Sequence, residues 1–286
     1  MTSQSESIVR DYYDKNTRWF LLVGGSHGTR TIHRAVWLDG VKRRRQALDA
    51  SNQLVASQAR ELWKPGMSQP LRVLDLGCGV GGSLFSLVKT LPFPLRMMGV
   101  TISPLQVRLA EKEAHNRGLM QCCEFIEADF LHLPSMQPAN LVFAIESFVQ
   151  AAEPQAFFSQ ACRVMQPGGR LVVIDTFLTP EGNEKQDHSW IQAFRSGWHA
   201  ESLMTADEAS TLAETAGLSL RENRDLTPNL QLGAFFSRLK LQVSTLAGKL
   251  KLKGTYWESL AGGCALEQGQ AAGLFAYRML VFERKS

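Results

Sequence analysis

The chain has 286 residues, of which 44% are hydrophobic and 20% are charged, with a formal net charge of +4. This composition is typical of a globular protein, and the length suits one large α/β domain or a core with an added cap. No apolar run approaches the ~20 residues that a membrane span needs, and the N-terminus lacks a signal-peptide pattern. The five cysteines are odd in number and form no CxxC pair, which argues against a disulfide framework or a zinc site. We therefore expect a cytoplasmic protein with no integral membrane segment and no metal site.

The positive charge is concentrated near the N-terminus. Residues 1–66 contain 11 Lys and Arg against 6 Asp and Glu, a net of +5, whereas the remainder contains 20 against 21, a net of −1. Such a charge run is usually a solvated helix face, and the alternative is a site for an anionic ligand. A nucleic-acid partner is not expected, because it would require a more basic surface.

The first predicted unit is a helical N-terminal segment, residues 1–66, which ends at Lys-Pro-Gly. From residue 67 the pattern changes to strands that alternate with helices. Strands at this spacing indicate a parallel sheet with right-handed crossovers. The first five strands are predicted at residues 72–76, 96–100, 123–128, 140–145 and 170–176.

After the fifth strand the alternation weakens. Residues 181–260 are rich in polar and aromatic side chains, and we expect them to form a cap near the substrate. One helix in this region is predicted to begin at the capping box of Thr205 and Glu208. A strand at 219–226, a helical stretch at 229–260 and a final strand near the C-terminus complete the predicted order.

The turn after the first strand is rich in glycine. Gly77, Gly79, Gly81 and Gly82 lie between a predicted strand and a helix, so a ligand can approach the backbone and the free N–H groups of the helix. The spacing also satisfies G-x-G-x-x-G, a fingerprint of dinucleotide binding. An NAD site is disfavoured, because no Asp or Glu occurs between residues 92 and 110, where a ribose carboxylate would stand.

With Asp75 inside the strand, this turn resembles the S-adenosylmethionine-binding motif of class I methyltransferases. The resemblance implies that Asp75 and the backbone of Gly77, Gly79 and Gly81 hold the amino-acid part of the cofactor. It extends over about residues 70–180.

Ala-Asp-Phe at residues 128–130 is similar to the acidic motif that follows the third strand in that family. This similarity implies that Asp129 accepts a hydrogen bond from the adenine amino group and that Phe130 donates its backbone N–H.

Gly-Val-Thr-Ile-Ser-Pro-Leu-Gln, at residues 99–106, resembles a pattern in a small-molecule subset of the family that includes tocopherol and geranyl diphosphate C-methyltransferases. The resemblance implies that Thr101, Ser103 and Gln106 bind the cofactor's ribose without a charge. Ser103 followed by Pro104 also predicts an ordinary helix N-cap, and the two roles are compatible.

The resemblance implies a Rossmann-like α/β fold with a mostly parallel seven-stranded sheet. A helical N-terminal lid at residues 1–66 would precede an S-adenosylmethionine-binding domain at 67–286, with the substrate cap inserted at about 181–260.

Glu146 follows the predicted fourth strand, at the end that faces the transferable methyl group in the related enzymes. It is the candidate base, which would take a proton from a nucleophile or from a carbocation left by methylating an alkene. Alternatively, it only hydrogen-bonds the substrate or an N-terminal helix. The remaining candidate substrate residues are aromatic or basic: Tyr12, Tyr13, Arg30, His33, Arg34 and Trp198.

Together these motifs predict S-adenosylmethionine-dependent methyl transfer to a small natural-product molecule. The narrow prediction is C-methylation of a prenyl diphosphate through a carbocation, with or without cyclisation, and with Mg²⁺ only if the acceptor is a diphosphate. O- or N-methylation of an aromatic or polyketide-type metabolite is the main alternative. An NAD-linked oxidoreductase and a non-catalytic cofactor-binding protein are more distant ones. The oligomeric state is left open, with a homodimer among the options.

Overall fold

A computed structural model describes residue 17, residues 33–231 and residues 255–285. Within them the chain forms one seven-stranded sheet. Its strands are β1 Leu71–Leu76, β2 Leu95–Thr101, β3 Cys123–Glu127, β4 Ala139–Ile145, β5 Met165–Leu178, β6 Leu218–Asp225 and β7 Phe275–Arg284. The strand order is β3-β2-β1-β4-β5-β7-β6. The first five strands pair in parallel, and β7 runs antiparallel to both β5 and β6. The predicted fold class is therefore confirmed.

Helices connect the strands and cover the sheet. In chain order the described helices are α1 Arg44–Leu62, α2 Gly82–Thr90, α3 Pro104–Asn116, α4 Pro154–Arg163, α5 Pro180–Glu184, α6 Ser189–Trp198, α7 Ala206–Thr215 and α8 Thr255–Ala271. Both predicted N-caps form: the Ser103 side chain accepts from the Gln106 backbone N–H, and Thr205 makes the expected capping box with Glu208. Every helix among the described residues is too short or too polar to cross a bilayer.

The two faces of the sheet bury separate apolar clusters. Val73 and Phe143 belong to the cluster on one face, and Leu74 and Val142 to the cluster on the other, because neighbouring side chains of a strand point to opposite faces. A parallel sheet covered on both faces needs apolar residues at nearly every strand position, which explains the runs that the sequence shows.

Helix α1 packs on the first of these faces through apolar side chains that include Leu54 and Val55. This part of the segment 1–66 is thus a layer over the sheet. The predicted lid consequently depends on residues that precede α1, and most of these lie outside the described residues.

The predicted cap region, residues 181–260, contributes to two different parts of the molecule. Helices α6 and α8 pack together in a third apolar cluster that includes Phe194, Leu266 and Phe275. By contrast, β6 is an edge strand of the sheet, and α7 packs against the sheet. The structure describes the predicted helical stretch 229–260 only in part: Thr227–Asn229 is a 3-10 turn, residues 232–254 lie outside the described residues, and α8 is described from Thr255 onward.

Several strand ends differ from the prediction by one or two residues, and the start of the fifth strand differs by five. The third strand ends at Glu127, one residue early. The fifth begins at Met165 instead of residue 170, because Met165 pairs with Ala139 before the register shifts and pairing resumes between Arg170 and Leu141. The intervening Pro-Gly-Gly, with Gly168 at φ 72°, bulges out of the pairing and looks like a plain turn in the sequence.

Candidate active site

The glycine turn after β1 is pressed against the end of β4. Gly77 has φ 90°, and a Cβ atom there would lie 2.4 Å from the Ser147 Cβ atom. The Ser147 hydroxyl also donates a 2.6 Å hydrogen bond to the carbonyl of Leu76. A Cβ atom at Gly79 would meet nothing within 4 Å, so this part of the turn borders open space. The close approach at Gly77 brings Glu146 next to the predicted cofactor loop.

Asp75, in β1 just before this turn, is a buried carboxyl group. It is 3% exposed, and its Oδ2 atom has no hydrogen-bond partner among the described residues. Burial raises the pKa of Asp75 well above its usual range, because the charged form loses hydration. An ammonium group would supply the missing partner. Together with Gly81, which caps α2 in the left-handed conformation, Asp75 fits the amino-acid end of S-adenosylmethionine.

The Thr-Ile-Ser-Pro-Leu-Gln motif forms a hydrogen-bonded cluster of its own. Thr101 Oγ1 donates to Gln106 Oε1 at 2.6 Å, and Ser103 Oγ accepts from the Gln106 backbone N–H at 3.1 Å. Gln106 Nε2 donates to Thr17 Oγ1 at 3.0 Å. The motif therefore holds the N-terminal segment at Thr17, and the ribose contacts of its side chains stay a prediction.

Asp129 lies in the loop after β3, close to its predicted place. Its Oδ1 atom accepts from the Leu131 backbone N–H at 2.8 Å, and its Oδ2 atom lies 3.2 Å from His132 Nδ1. Phe130 packs edge-on against Phe157, with ring centroids 5.5 Å apart. These contacts fix the loop, and the adenine contacts of Asp129 and Phe130 stay predictions.

Glu146 occupies an unusual backbone position at the end of β4. Its φ is 54°, which non-glycine residues adopt seldom and mostly where the surroundings enforce it. Its Oε1 atom accepts two hydrogen bonds of 2.8 Å, from the Arg34 backbone N–H and from the Tyr277 hydroxyl. No hydrogen bond to Oε2 is found among the described residues. One carboxylate oxygen is thus held in place, and the other can accept a hydrogen bond or a proton.

The neighbours of Glu146 have shifted pKa values. Burial, and after it the negative charge of Glu146, raises the pKa of Tyr277 well above its usual range, so the phenol stays a donor. Burial lowers the pKa of His33, although Glu146 opposes this effect. His33 Nε2 lies 2.7 Å from Ser83 Oγ, in the first turn of α2. His33 therefore joins the N-terminal segment to the cofactor loop.

Two residues of this site were missed in the sequence analysis. Asp175, on β5, accepts from the backbone N–H groups of Val149 and Thr176 at 3.0 and 2.7 Å. Burial raises its pKa to about 7, with a further contribution from Glu146. A lone acidic residue in an apolar strand was a usable signal for Asp175. Tyr277 is 131 residues from Glu146 in the chain, and no local pattern marks it.

The predicted substrate residues divide into three groups. Tyr12, Tyr13 and Arg30 lie outside the described residues. His33 and Arg34 lie beside Glu146. Trp198 forms the third group.

Trp198, the last residue of α6, packs against α8. Its Nε1 donates to the Ser259 carbonyl at 2.9 Å, and its ring contacts Gly262. Helix packing accounts for this position, and a substrate contact of Trp198 stays a prediction.

Residues 68–217, slightly more than half of the chain, match a family model described as a methyltransferase domain. With the glycine loop, the buried Asp75 and the sheet order, this match defines the class: the chain belongs to the class I S-adenosylmethionine-dependent methyltransferases. Within the part of the chain that the structure describes, no three His, Cys, Asp or Glu side chains form a group that could hold a metal ion.

Among similar proteins, "Methyltransferase GfsG" of Streptomyces halstedii is 26% identical over 221 residues, which cover 77% of this chain and 75% of that protein. "Sterol 24-C-methyltransferase erg6" of Aspergillus fumigatus is 28% identical over 164 residues, 56% of this chain and 43% of that protein. This chain thus spans less than half of the sterol enzyme.

Among solved structures, geranyl diphosphate C-methyltransferase of Streptomyces coelicolor A3(2), in complex with Mg²⁺, geranyl diphosphate and S-adenosyl-L-homocysteine, has a TM-score of 0.71. It is 18% identical, and the match covers 99% of this chain and 98% of that one. At this identity the likeness shows a shared fold.

Proposed function

We propose that this protein transfers the methyl group of S-adenosylmethionine to a small natural-product molecule, and that the acceptor atom is an alkene carbon of a prenyl diphosphate. The observation that carries the proposal is the arrangement of Glu146. One of its oxygens is fixed by two donors, the other is available, and the residue adjoins the glycine turn. The names of two similar proteins, a sterol and a geranyl diphosphate C-methyltransferase, support carbon as the acceptor atom.

S-adenosylmethionine supplies an electrophilic methyl group when it is bound. An alkene that gains a methyl group at one carbon is left with a positive charge at the neighbouring carbon. Glu146 Oε2 then takes a proton from a carbon next to the cation, and the electrons of that C–H bond form a new double bond. If a second alkene of the substrate attacks the cation first, a ring C–C bond forms and the charge moves to the other carbon of that alkene, and Glu146 then takes the proton from a carbon next to this new cation.

The anionic end of a prenyl diphosphate needs positive charge. Arg34 beside Glu146 and the exposed Arg43 provide it in the described residues, and Arg30 is the third candidate from the sequence. Guanidinium groups suit phosphate oxygens because they can donate two parallel hydrogen bonds. Mg²⁺ would enter only with a diphosphate, as in the similar enzyme crystallised with both.

A second candidate function is O- or N-methylation of an aromatic or polyketide-type metabolite. The available oxygen of Glu146 favours it equally, because it could accept a proton from a phenol or an amine. Location in the cytoplasm and the lack of a nucleic-acid partner stay predictions from the sequence, and the oligomeric state stays open, with a homodimer among the options.

Two measurements test the proposal. Calorimetry with the full chain should show micromolar binding of S-adenosylhomocysteine and none of NADH, and the reverse result would refute the methyltransferase assignment. Mass spectrometry of reactions with a panel of prenyl diphosphates and phenols should show a gain of one methyl group on a prenyl diphosphate. Methylation of a phenol alone would retain the enzyme class and reject the carbocation.

A further inference from the structure

Gln270, near the end of α8, forms a part-buried pair with Arg34. Arg34 Nη2 donates to Gln270 Oε1 at 2.6 Å, across 236 residues of sequence. Gln270 is 4% exposed. The sequence motifs single out Arg34 alone, so its partner emerges only from the fold.

This pair leaves two buried donors without acceptors. Arg34 Nη1 and Gln270 Nε2 both lack a hydrogen-bond partner among the described residues. Nη1 is bonded to the same carbon as Nη2, and Nε2 to the same carbon as Oε1, so both unpaired donors belong to the two groups that this hydrogen bond joins. Buried N–H donors that remain unpaired are costly because they lose their hydrogen bonds to water, so such a pair points to an acceptor that the described residues do not provide.

The charge of Arg34 defines that acceptor further. None of the ion pairs among the described residues includes Arg34. Its guanidinium lies 5.4 Å from the ring centroid of Tyr277 and bonds to a neutral amide. The negative Glu146 receives the backbone N–H of Arg34 instead of its guanidinium. A cation in this setting is best completed by an anionic oxygen.

We propose that Arg34 and Gln270 form a two-donor subsite for one anionic oxygen of the acceptor molecule, and that Gln270 is a specificity-determining residue. The oxygen is that of a phosphate or a carboxylate group. The subsite is joined to Glu146 through Tyr277, whose ring faces Arg34 and whose hydroxyl holds Glu146. The anionic end of the acceptor would therefore lie toward α8, with its reacting carbon toward Glu146. This inference rests on the proposed function, because it assigns the orientation of that acceptor.

The test uses the full chain with saturating S-adenosylhomocysteine and three probes of one carbon skeleton: geranyl diphosphate, geranate and geraniol. Calorimetry should show that at least one of the two anions binds at least tenfold more tightly than the neutral alcohol. The better anion distinguishes a phosphate from a carboxylate source. Failure of both anions to bind more tightly than geraniol would overturn the proposal.

The variant Gln270→Glu keeps an acceptor for Arg34 but replaces the unpaired donor with a negative oxygen. It should weaken binding of the preferred anion at least tenfold and change geraniol binding less than twofold. Gln268→Glu is the matched control, because it adds the same charge on the same helix at a less buried position. Equal losses in the two variants would show a general charge effect and reject the subsite.

Gln270→Met provides a second variant that removes the donor without adding charge, and thermal melting checks that each variant is folded. Gln270→Met should weaken binding of the preferred anion and leave binding of geraniol unchanged. S-adenosylhomocysteine affinity, measured on the same proteins, separates the two proposals. If the cofactor product binds but the anion results fail, only the subsite is wrong, whereas loss of cofactor binding in the wild-type protein would reject the function itself.

Discussion

Asp75 and Asp175 are both buried carboxyl groups on parallel strands of the sheet, on opposite sides of β4, but their surroundings differ. Asp75 has an oxygen without a partner beside the glycine turn, whereas Asp175 accepts two backbone N–H groups. Burial raises the pKa of both. The contrast separates a group suited to a ligand from one that stabilises the backbone: Asp175 fixes the 3-10 turn that follows Glu146.

The same contrast supports our proposal that the site has a cofactor side and an acceptor side. The cofactor side consists of the glycine turn and Asp75, within ten residues of sequence. The acceptor side is assembled from distant segments: Arg34 before α1, Glu146 after β4, Gln270 in α8 and Tyr277 in β7. If this division is correct, each side can be damaged while the other stays intact.

The largest effect is expected on the acceptor side, from Glu146→Gln. This variant keeps the size and polarity of the side chain but removes the base, so turnover should fall by ~10²-fold or more, the usual scale for a general base. S-adenosylhomocysteine affinity should stay within twofold of the wild-type value. The exposed Glu124→Gln serves as the matched control for the loss of one carboxylate. Near-normal turnover of Glu146→Gln on the true acceptor would show that the residue only positions the substrate.

The next effect is expected on the cofactor side, from Asp75→Ala. Loss of a charge-assisted contact should weaken S-adenosylhomocysteine binding by about 1.5–3 kcal/mol, roughly 10- to 150-fold. Asp175→Asn is the sharpest control, because it neutralises the other buried carboxyl group and should change this affinity less than twofold. Calorimetry with both variants decides the matter: similar losses would mean that the two carboxyl groups do not have separate roles.

Local patterns predict the structure of the proposed cofactor side. A strand, a glycine turn and a helix start follow one another directly, so Asp75, Gly77 and the N-cap at Ser103 could be predicted from neighbouring residues. The structure adds what a pattern cannot contain: the mutual hydrogen bonds of Thr101 and Gln106, and the need for Gly77 because Ser147 lies against it.

The acceptor side could be predicted only where it touches a strand end, at Glu146. Tyr277 belongs to an antiparallel strand inserted between β5 and β6, and the sequence gives no sign of where that strand enters the sheet. Gln270 lies in a helix whose predicted range stopped at residue 260. Both residues reach the site through tertiary packing, which overrides local sequence signals.

A smaller effect is expected on stability, and its sign follows from the raised pKa of Asp175. In the unfolded chain the group titrates near 4, and in the folded protein at about 7. Between these values the folded protein holds a proton that the unfolded chain has released. The stabilisation from this group is therefore complete below about pH 4 and is lost as the pH rises through 7.

Melting temperatures of the wild-type protein and Asp175→Asn, measured from pH 4 to 8, test this sign. The wild-type value should fall relative to that of the variant as the pH rises. A constant difference across this range would mean that Asp175 has an ordinary pKa, and Asp207→Asn, an exposed position in α7, controls for the substitution itself.

The smallest effect concerns the connection between the N-terminal segment and the cofactor side. Residues 5–45 carry the charge excess and clustered aromatic residues, and the sequence predicts that they close over the site. The hydrogen bond from Gln106 to Thr17 connects this segment to the predicted cofactor motif. Amide exchange over residues 5–45 should therefore slow when S-adenosylhomocysteine and acceptor are added.

Thr17→Val preserves the shape of the side chain and removes the acceptor for Gln106, so it should reduce this protection. It should also weaken cofactor binding by about 0.5–1.5 kcal/mol, the usual net contribution of one hydrogen bond. Thr90→Val, at the end of α2, is the control. Exchange that is unchanged by both ligands in the wild-type protein would count against a lid, and equal behaviour of the two variants would assign the Thr17 contact a purely local role.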